Sequence, residues 1–291
     1  MSLGVNLGTN KPFEVVEGNF LKNLTDFYRF PEKYYLDPFR IAGNLYYVGD
    51  KKVCMHLLAT EEGLILFDSG YQHTVHQLFY SIEQLGFSPK DVKMVIHSHG
   101  HFDHFGAGDA FRDLFGSKLY LSRVDAERLK INPRAALMEY SPLPYARILE
   151  PDKLIDDGDV ITLGSTSIRC RLAPGHTEGT MAFFFPVREQ DRTYEVGYLG
   201  GIGFLPLYKA FLKKYDLPMD MQERMRDTIG RMREEHPDIT LGNHPNHNGT
   251  LEKRAYMLSH PGENPFKDGS VWTEMLDQLE ARLNDFQARD Y

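Results

Sequence analysis

The segment His97-Ser98-His99-Gly100-His101-Phe102-Asp103-His104 constrains this chain more than any other. It places four imidazoles and a carboxylate within eight residues, directly after the apolar run Met94-Val95-Ile96 and before a stretch of helical spacing. Charged imidazoles crowded in this way would repel one another, and neutral packing gives no reason to gather so many titrating groups. Imidazole nitrogens and carboxylate oxygens are ligands that Zn²⁺ takes, and within one short loop they converge with little closure entropy. With 12 histidines in 291 residues, a chance match to His-x-His-x-Asp-His has a probability of roughly 0.002. The spacing predicts a metal site built on a strand end, where loops carry functional residues. The bland alternative is a solvated His-rich turn.

Two further histidines occupy similar settings. His176 lies in Ala-Pro-Gly-His-Thr-Glu-Gly after a strand that ends near Leu172, and His244 lies in Leu-Gly-Asn-His-Pro-Asn-His after Ile239-Thr240-Leu241. Either alone reads as a loop histidine; their shared position after strands joins them to the cluster. His247 competes with His244, which is preferred because it comes first after the strand. His97 reads as a buried neighbour rather than a ligand, and Glu178 as a loop glutamate rather than a general acid. Asp68, in Phe-Asp-Ser-Gly, either caps an Asx turn or supports a ligand from behind.

Residues 45–48, 53–59 and 64–67 read as a three-strand meander broken by Gly-Asp and Glu-Glu-Gly. A helix over 73–85 stopping at Gly86 and a strand over 93–96 follow. Helices over 106–115 and 124–131 flank a strand at 118–121, and Ser141-Pro142-Leu143-Pro144 marks a loop. A second set of strands covers 160–163, 167–172, 181–185, 194–199 and 239–241, with helices over 207–213, 219–235 and 271–287. Two strand-rich halves, each followed by helices, predict an α/β (α+β) fold of two facing sheets with helices outside, a four-layer sandwich. Residues 1–40, aromatic but without a clear period, read as an N-terminal extension packing on the domain formed by 41–291.

The net charge of −8, from 33 Lys+Arg and 41 Asp+Glu, points away from nucleic acid, whose phosphates are gripped by excess cations. The longest apolar runs fall far short of the roughly 18 residues a membrane span needs, so a small-molecule substrate is the expected partner. Cys54 and Cys170 both lie in strand-like runs and read as small buried residues. The first residues lack the basic start and apolar stretch of a secretory signal. A secreted chain with its leader cleaved would begin alike, so the compartment stays open, as does the oligomeric state.

Taken in order, Phe67-Asp68-Ser69-Gly70, the cluster from His99 to His104, Pro174-Gly175-His176-Thr177 and His244 resemble the motifs of the metallo-β-lactamase superfamily. The resemblance runs from about Pro38 to the C-terminus and implies an αβ/βα sandwich with a binuclear zinc site at one edge. By that resemblance His99, His101 and His176 would bind the first zinc, and Asp103, His104 and His244 the second. It implies hydroxide attack on a carbonyl, with Asp103 as the candidate catalytic residue that orients the water as its proton is passed on. Asp68 would hold a ligand imidazole or the loop backbone.

Many superfamily members carry a bridging Asp after the third motif, but Gly197-Tyr198-Leu199-Gly200-Gly201-Ile202-Gly203 contains no acidic residue and no cysteine. The pattern is most similar to the lactamase subclass whose second zinc takes Asp, His and His, and Asn44-Leu45-Tyr46-Tyr47-Val48-Gly49 and Asn264-Pro265-Phe266 also resemble it. That subclass usually has Asp-Ser near the position of Gly200-Gly201, with the serine close to the substrate carboxylate. Its absence opens the alternatives of a lactone, ester or thioester hydrolase, or of a non-catalytic zinc-binding module. The segment 204–215 and the aromatic N-terminus are the expected pocket walls.

Overall fold

The computed structural model describes residues 3–141 and 147–291, so Pro142-Leu143-Pro144 of the expected loop lies outside the described residues. Seven strands form the first sheet in sequence order: β1 (Phe39–Ala42), β2 (Leu45–Tyr47), β3 (His56–Thr60), β4 (Gly63–Phe67), β5 (Val92–Ile96), β6 (Lys118–Ser122) and β7 (Lys153–Ile155). The first four pair antiparallel, as short turns dictate, and β4 through β7 pair parallel. The second sheet contains β8 (Val160–Leu163), β9 (Thr166–Leu172), β10 (Met181–Glu189), β11 (Arg192–Leu199) and β12 (Ile239–Leu241), with β12 parallel to β11 at one edge.

The two sheets face each other through alternate side chains of their strands. Phe183, Phe185 and Val187 of β10 join Leu58, Ile65 and Phe67 in one buried cluster, and the Phe67 and Phe185 rings stack at 4.9 Å. The opposite face of β10 presents Ala182 and Phe184 to the helices, where Phe184 meets Trp272 edge to face at 5.6 Å. Helices therefore cover both outer faces, and the four-layer α/β/β/α sandwich expected from the sequence is the observed fold. Cys54 and Cys170 are buried and free. Among the described residues no helix is long and apolar enough to cross a membrane.

The helices are α1 (Phe13–Arg29), α2 (Val75–Gln84), α3 (Phe102–Phe105), α4 (Gly108–Phe115), α5 (Arg123–Ile131), α6 (Lys209–Lys214), α7 (Met221–Met232), α8 (Thr250–Ser259) and α9 (Ser270–Ala288). The sequence reading missed α1, α8 and the edge strands β1 and β7. In α1 the apolar stripe Phe13, Val16, Phe20, Leu24 and Phe27 is blurred by the exposed Val15 and Leu21 and by the aromatic run that follows. Leu24 and Phe27 are buried together with Val5 and Leu7 against the helix-side core. In α8 only Thr250 and Lys253 are buried, so no apolar period marks it.

Candidate metal centre

Every candidate residue follows the end of a strand, and the strand ends lie along one edge of the sandwich. Asp68 follows β4, His97 to His104 follow β5, His176 follows β9 and His244 follows β12. The single turn α3, starting after His101, turns Asp103 and His104 inward, and both are buried.

Three imidazoles from two loops meet nitrogen to nitrogen. His99 Nε2 and His176 Nε2 each lie 3.1 Å from His101 Nδ1. Beside them His104 Nε2 stands 3.5 Å and His244 Nε2 3.8 Å from Asp103 Oδ2, and the His104 and His244 rings are 5.1 Å apart. The six residues singled out from the sequence are thus brought together as one cluster. The grouping of ligand-type atoms supports metal binding most clearly at His99, His101 and His176, and again at His99, Asp103 and His104, each set lying within 4.8 Å.

The outward nitrogens are tied down. His176 Nδ1 hydrogen-bonds to the Gly203 carbonyl at 2.8 Å, His244 Nδ1 to the Lys52 carbonyl at 2.7 Å and His104 Nδ1 to Asp68 Oδ2 at 2.7 Å. A nitrogen donating to an acceptor leaves the other as a lone pair, so each ring is fixed in a ligand-competent tautomer. His104 Nε2 is buried and has no hydrogen-bond partner among the described residues, an orphan that a cation would satisfy.

Electrostatics favours neutral imidazoles here. Burial, then the neighbouring imidazoles, hold His99 and His101 well below the ordinary histidine value, and burial brings His176 to about 4. His104 differs: burial opposes its charge, but Asp103 and Asp68 outweigh it and raise the ring's pKa. Burial would raise the Asp68 carboxyl, yet His104, Tyr198 and Ser98 together bring it below the usual carboxylate value. The neutral nitrogens of His99, His101 and His176, with the Asp103 carboxylate beside them, suit Zn²⁺, which requires deprotonated ligands.

Asp68 has φ +56°, a left-handed conformation that Asp tolerates better than most residues. Its carboxylate accepts from the Ser98 amide at 2.7 Å, the Ser98 hydroxyl at 2.8 Å and the Tyr198 hydroxyl at 2.5 Å, besides His104. His97 points away from the cluster, bonding the Tyr120 carbonyl through Nδ1 at 2.9 Å and approaching Ser69 Oγ. Glu178 is ion-paired to Arg128 and Arg224 rather than solvated.

Two features escaped the sequence reading. Asp125, near the start of α5, is buried and accepts from the Gly100 amide, the Gly179 amide and the Thr177 hydroxyl, each at 2.8 Å. It ties the His99–His104 loop to the His176 loop, but in sequence it reads as an ordinary acidic residue in a first helical turn. The second is the packing behind the glycine pair, whose lack of Asp-Ser the sequence already showed. A Cβ on Gly201 would stand 2.7 Å from His176 Cδ2, and one on Gly200 would meet the Met181 carbonyl at 2.5 Å. The backbone there presses directly on the histidine loop and leaves no room for a side chain.

The cluster opens into a cleft of about 410 Å³. Its floor includes His101, Asp103, His176 and His244, and α1 with Phe204 to Pro206 forms its apolar walls.

A family model described as the metallo-beta-lactamase superfamily matches residues 50–189. The native FEZ-1 metallo-beta-lactamase from Legionella gormanii superposes with a TM-score of 0.79 at 28% identity, covering 88% of this chain and 97% of that one. The chain belongs to the metallo-β-lactamase superfamily. The metallo-beta-lactamase GOB-18 from Elizabethkingia meningoseptica is also similar, with a TM-score of 0.74, 26% identity and 98% of both chains covered. The probable metallo-hydrolase YqgX of Bacillus subtilis is 24% identical over 230 residues, 76% of this chain and 95% of its own length. Superfamily membership makes this protein a zinc-dependent hydrolase of small molecules, with clusters that could hold the metal.

Proposed function

We propose that this superfamily hydrolase holds two zinc ions, with His99, His101 and His176 around one and Asp103, His104 and His244 around the other, and that it opens a β-lactam or related cyclic amide. The observation that supports this most directly is the convergence of five imidazoles and the Asp103 carboxylate in one cluster, part of which forms the cleft floor. When bound, zinc lowers the pKa of water to about 7 from 15.7, which makes hydroxide available at neutral pH, and it draws charge from a carbonyl oxygen.

The chain's own residues do the rest. The carboxylate of Asp103 accepts a hydrogen bond from the attacking water, orients it and relays its proton toward the leaving group. Asp68 keeps the Nδ1 proton of His104 in place, so that Nε2 keeps a lone pair free throughout. The apolar side chains of α1 and the 204–206 turn limit water on the open side of the cleft. Lactamases among the similar structures, at 26% and 28% identity, support the cyclic-amide reading.

A second reading, hydrolysis of a lactone, ester or thioester on the same centre, is favoured by Gly200 and Gly201, where no side chain can reach the substrate. Purified zinc-loaded protein assayed on nitrocefin, imipenem and a panel of lactones, esters and thioesters, each with an EDTA control, separates the two. Zinc-dependent opening of either β-lactam supports the first; turnover confined to the panel supports the second. Inactivity on all of them contradicts both and leaves a non-catalytic zinc-binding module.

A further inference from the structure

Asp50, in the turn after β2, is only 4% exposed. Its Oδ1 accepts the Lys52 amide at 2.6 Å and the Val53 amide at 2.8 Å, which closes the turn. Its Oδ2 is buried and has no hydrogen-bond partner among the described residues. Lys52, the cation that acts on this carboxylate through space, keeps its own ammonium 4.4 Å over the Tyr34 ring.

Asp50 lines a cavity of about 10 Å³ between that turn and α2, together with Tyr35, Gln77 and Ser81. With Oδ1 spent inside the turn, Oδ2 is the oxygen left for the cavity. Gln77 Oε1 is a second buried oxygen without a partner, and Tyr35 Oη, beside the Ser81 hydroxyl, is a third. Three of the eleven such atoms among the described residues therefore belong to this one small space, which points to a shared occupant.

The chemistry of the three oxygens narrows that occupant. A carboxylate and an amide oxygen only accept, so it must donate protons or be positive itself. Space for about one water-sized sphere excludes an organic amine. A water molecule would serve the acceptors but leave the buried charge uncompensated, and burial already pushes Asp50 up to about 6. Ca²⁺ takes about six to eight oxygens and Mg²⁺ keeps several of its waters, and neither fits one carboxylate in so small a space.

We propose that this cavity binds a single alkali cation, Na⁺ or K⁺, with Asp50 Oδ2 as its charged ligand and Gln77 Oε1 and Tyr35 Oη as neutral ones. The ion ties α2 to the turn at residues 49–53. That turn also supplies the Lys52 carbonyl that accepts from His244 Nδ1, so the site braces the candidate metal centre without belonging to it.

Urea unfolding of the zinc-loaded protein in NaCl, KCl or choline chloride at one ionic strength tests this. An ion that binds only the folded chain, present at ten times its dissociation constant, multiplies the folded-to-unfolded ratio by about eleven. Wild type is expected to be stabilised to that extent by Na⁺ or K⁺ over choline, with a gain that follows the same law as the ion is titrated in. The more effective of the two salts identifies the ion. Asp50→Asn, which removes the charge and keeps the shape, should abolish the difference between the salts. Equal stability of wild type in all three salts overturns the proposal and leaves a water in the cavity. An alkali-ion gain undiminished in Asp50→Asn also overturns it, because the ions then act elsewhere. Should Asp50→Asn not fold, Gln77→Met takes its place, with the gain expected to shrink at least threefold and an unchanged gain overturning the proposal. None of these readouts depends on hydrolysis, so failure here leaves the hydrolase reading intact.

Discussion

Asp68 Oδ2 lies 2.7 Å from His104 Nδ1, and this contact sets which nitrogen of His104 faces Asp103. Asp68→Asn keeps the volume but offers an amide that can donate where the carboxylate only accepts, so the imidazole loses its fixed tautomer. Outer partners of metal-bound histidines typically contribute about 10–100-fold in metal affinity or activity. Asp68→Asn is therefore expected to weaken zinc binding by a factor in that range, read by competition with a chromogenic chelator. Unchanged affinity would show that His104 needs no such support.

Asp125 is the joint between the two histidine loops. Asp125→Ala leaves the Gly100 and Gly179 amides and the Thr177 hydroxyl without their acceptor. At about 1–3 kcal/mol for a buried polar group left unpaired, and with partial relaxation, the expected loss is roughly 3 kcal/mol in urea unfolding, together with weaker zinc retention. Asp125→Asn, which keeps one acceptor oxygen, should fall between. A variant as stable as wild type would contradict the role.

Burial lowers the pKa of His56 to about 4, while its Nε2 bonds the Gly242 carbonyl at 3.1 Å. Its folded pKa lies below the ordinary 6.5, so the unfolded chain binds the extra proton and the stabilisation present above pH 6.5 is lost as pH falls toward 4. The loss is roughly 3 kcal/mol over that window. Asp50 and Asp125, raised to about 6 by burial, act in the opposite sense: their contribution is present at low pH and fades as pH rises through 6. The difference between wild type and His56→Gln isolates the histidine. The variant should close the gap with, or overtake, wild type as pH drops; a constant gap would contradict the shift.

The strands and the candidate-site loops were legible because their signals are local. Val95-Ile96 and Phe183 to Phe185 are contiguous apolar runs, and His99 to His104 crowd a single turn. His244 needed the fold: only the parallel pairing of β12 with β11 carries its loop to the edge where Asp103 sits. Its neighbour His247 also lines the cleft, and sequence order alone could not separate them by distance. Asp125, Asp50 and the α1 face were invisible because their meaning lies in what packs against them. An acidic residue in a first helical turn, an aspartate in a Gly-Asp turn and a blurred apolar stripe each have an ordinary local reading.

The central claim is that five imidazoles and Asp103 hold a pair of zinc ions. Zinc content per chain, measured on dialysed wild type, His244→Ala and His247→Ala, tests it most directly. About two equivalents are expected for wild type and for His247→Ala, with a fall toward one in His244→Ala. A single equivalent in wild type, or loss of metal in His247→Ala with none in His244→Ala, would contradict it.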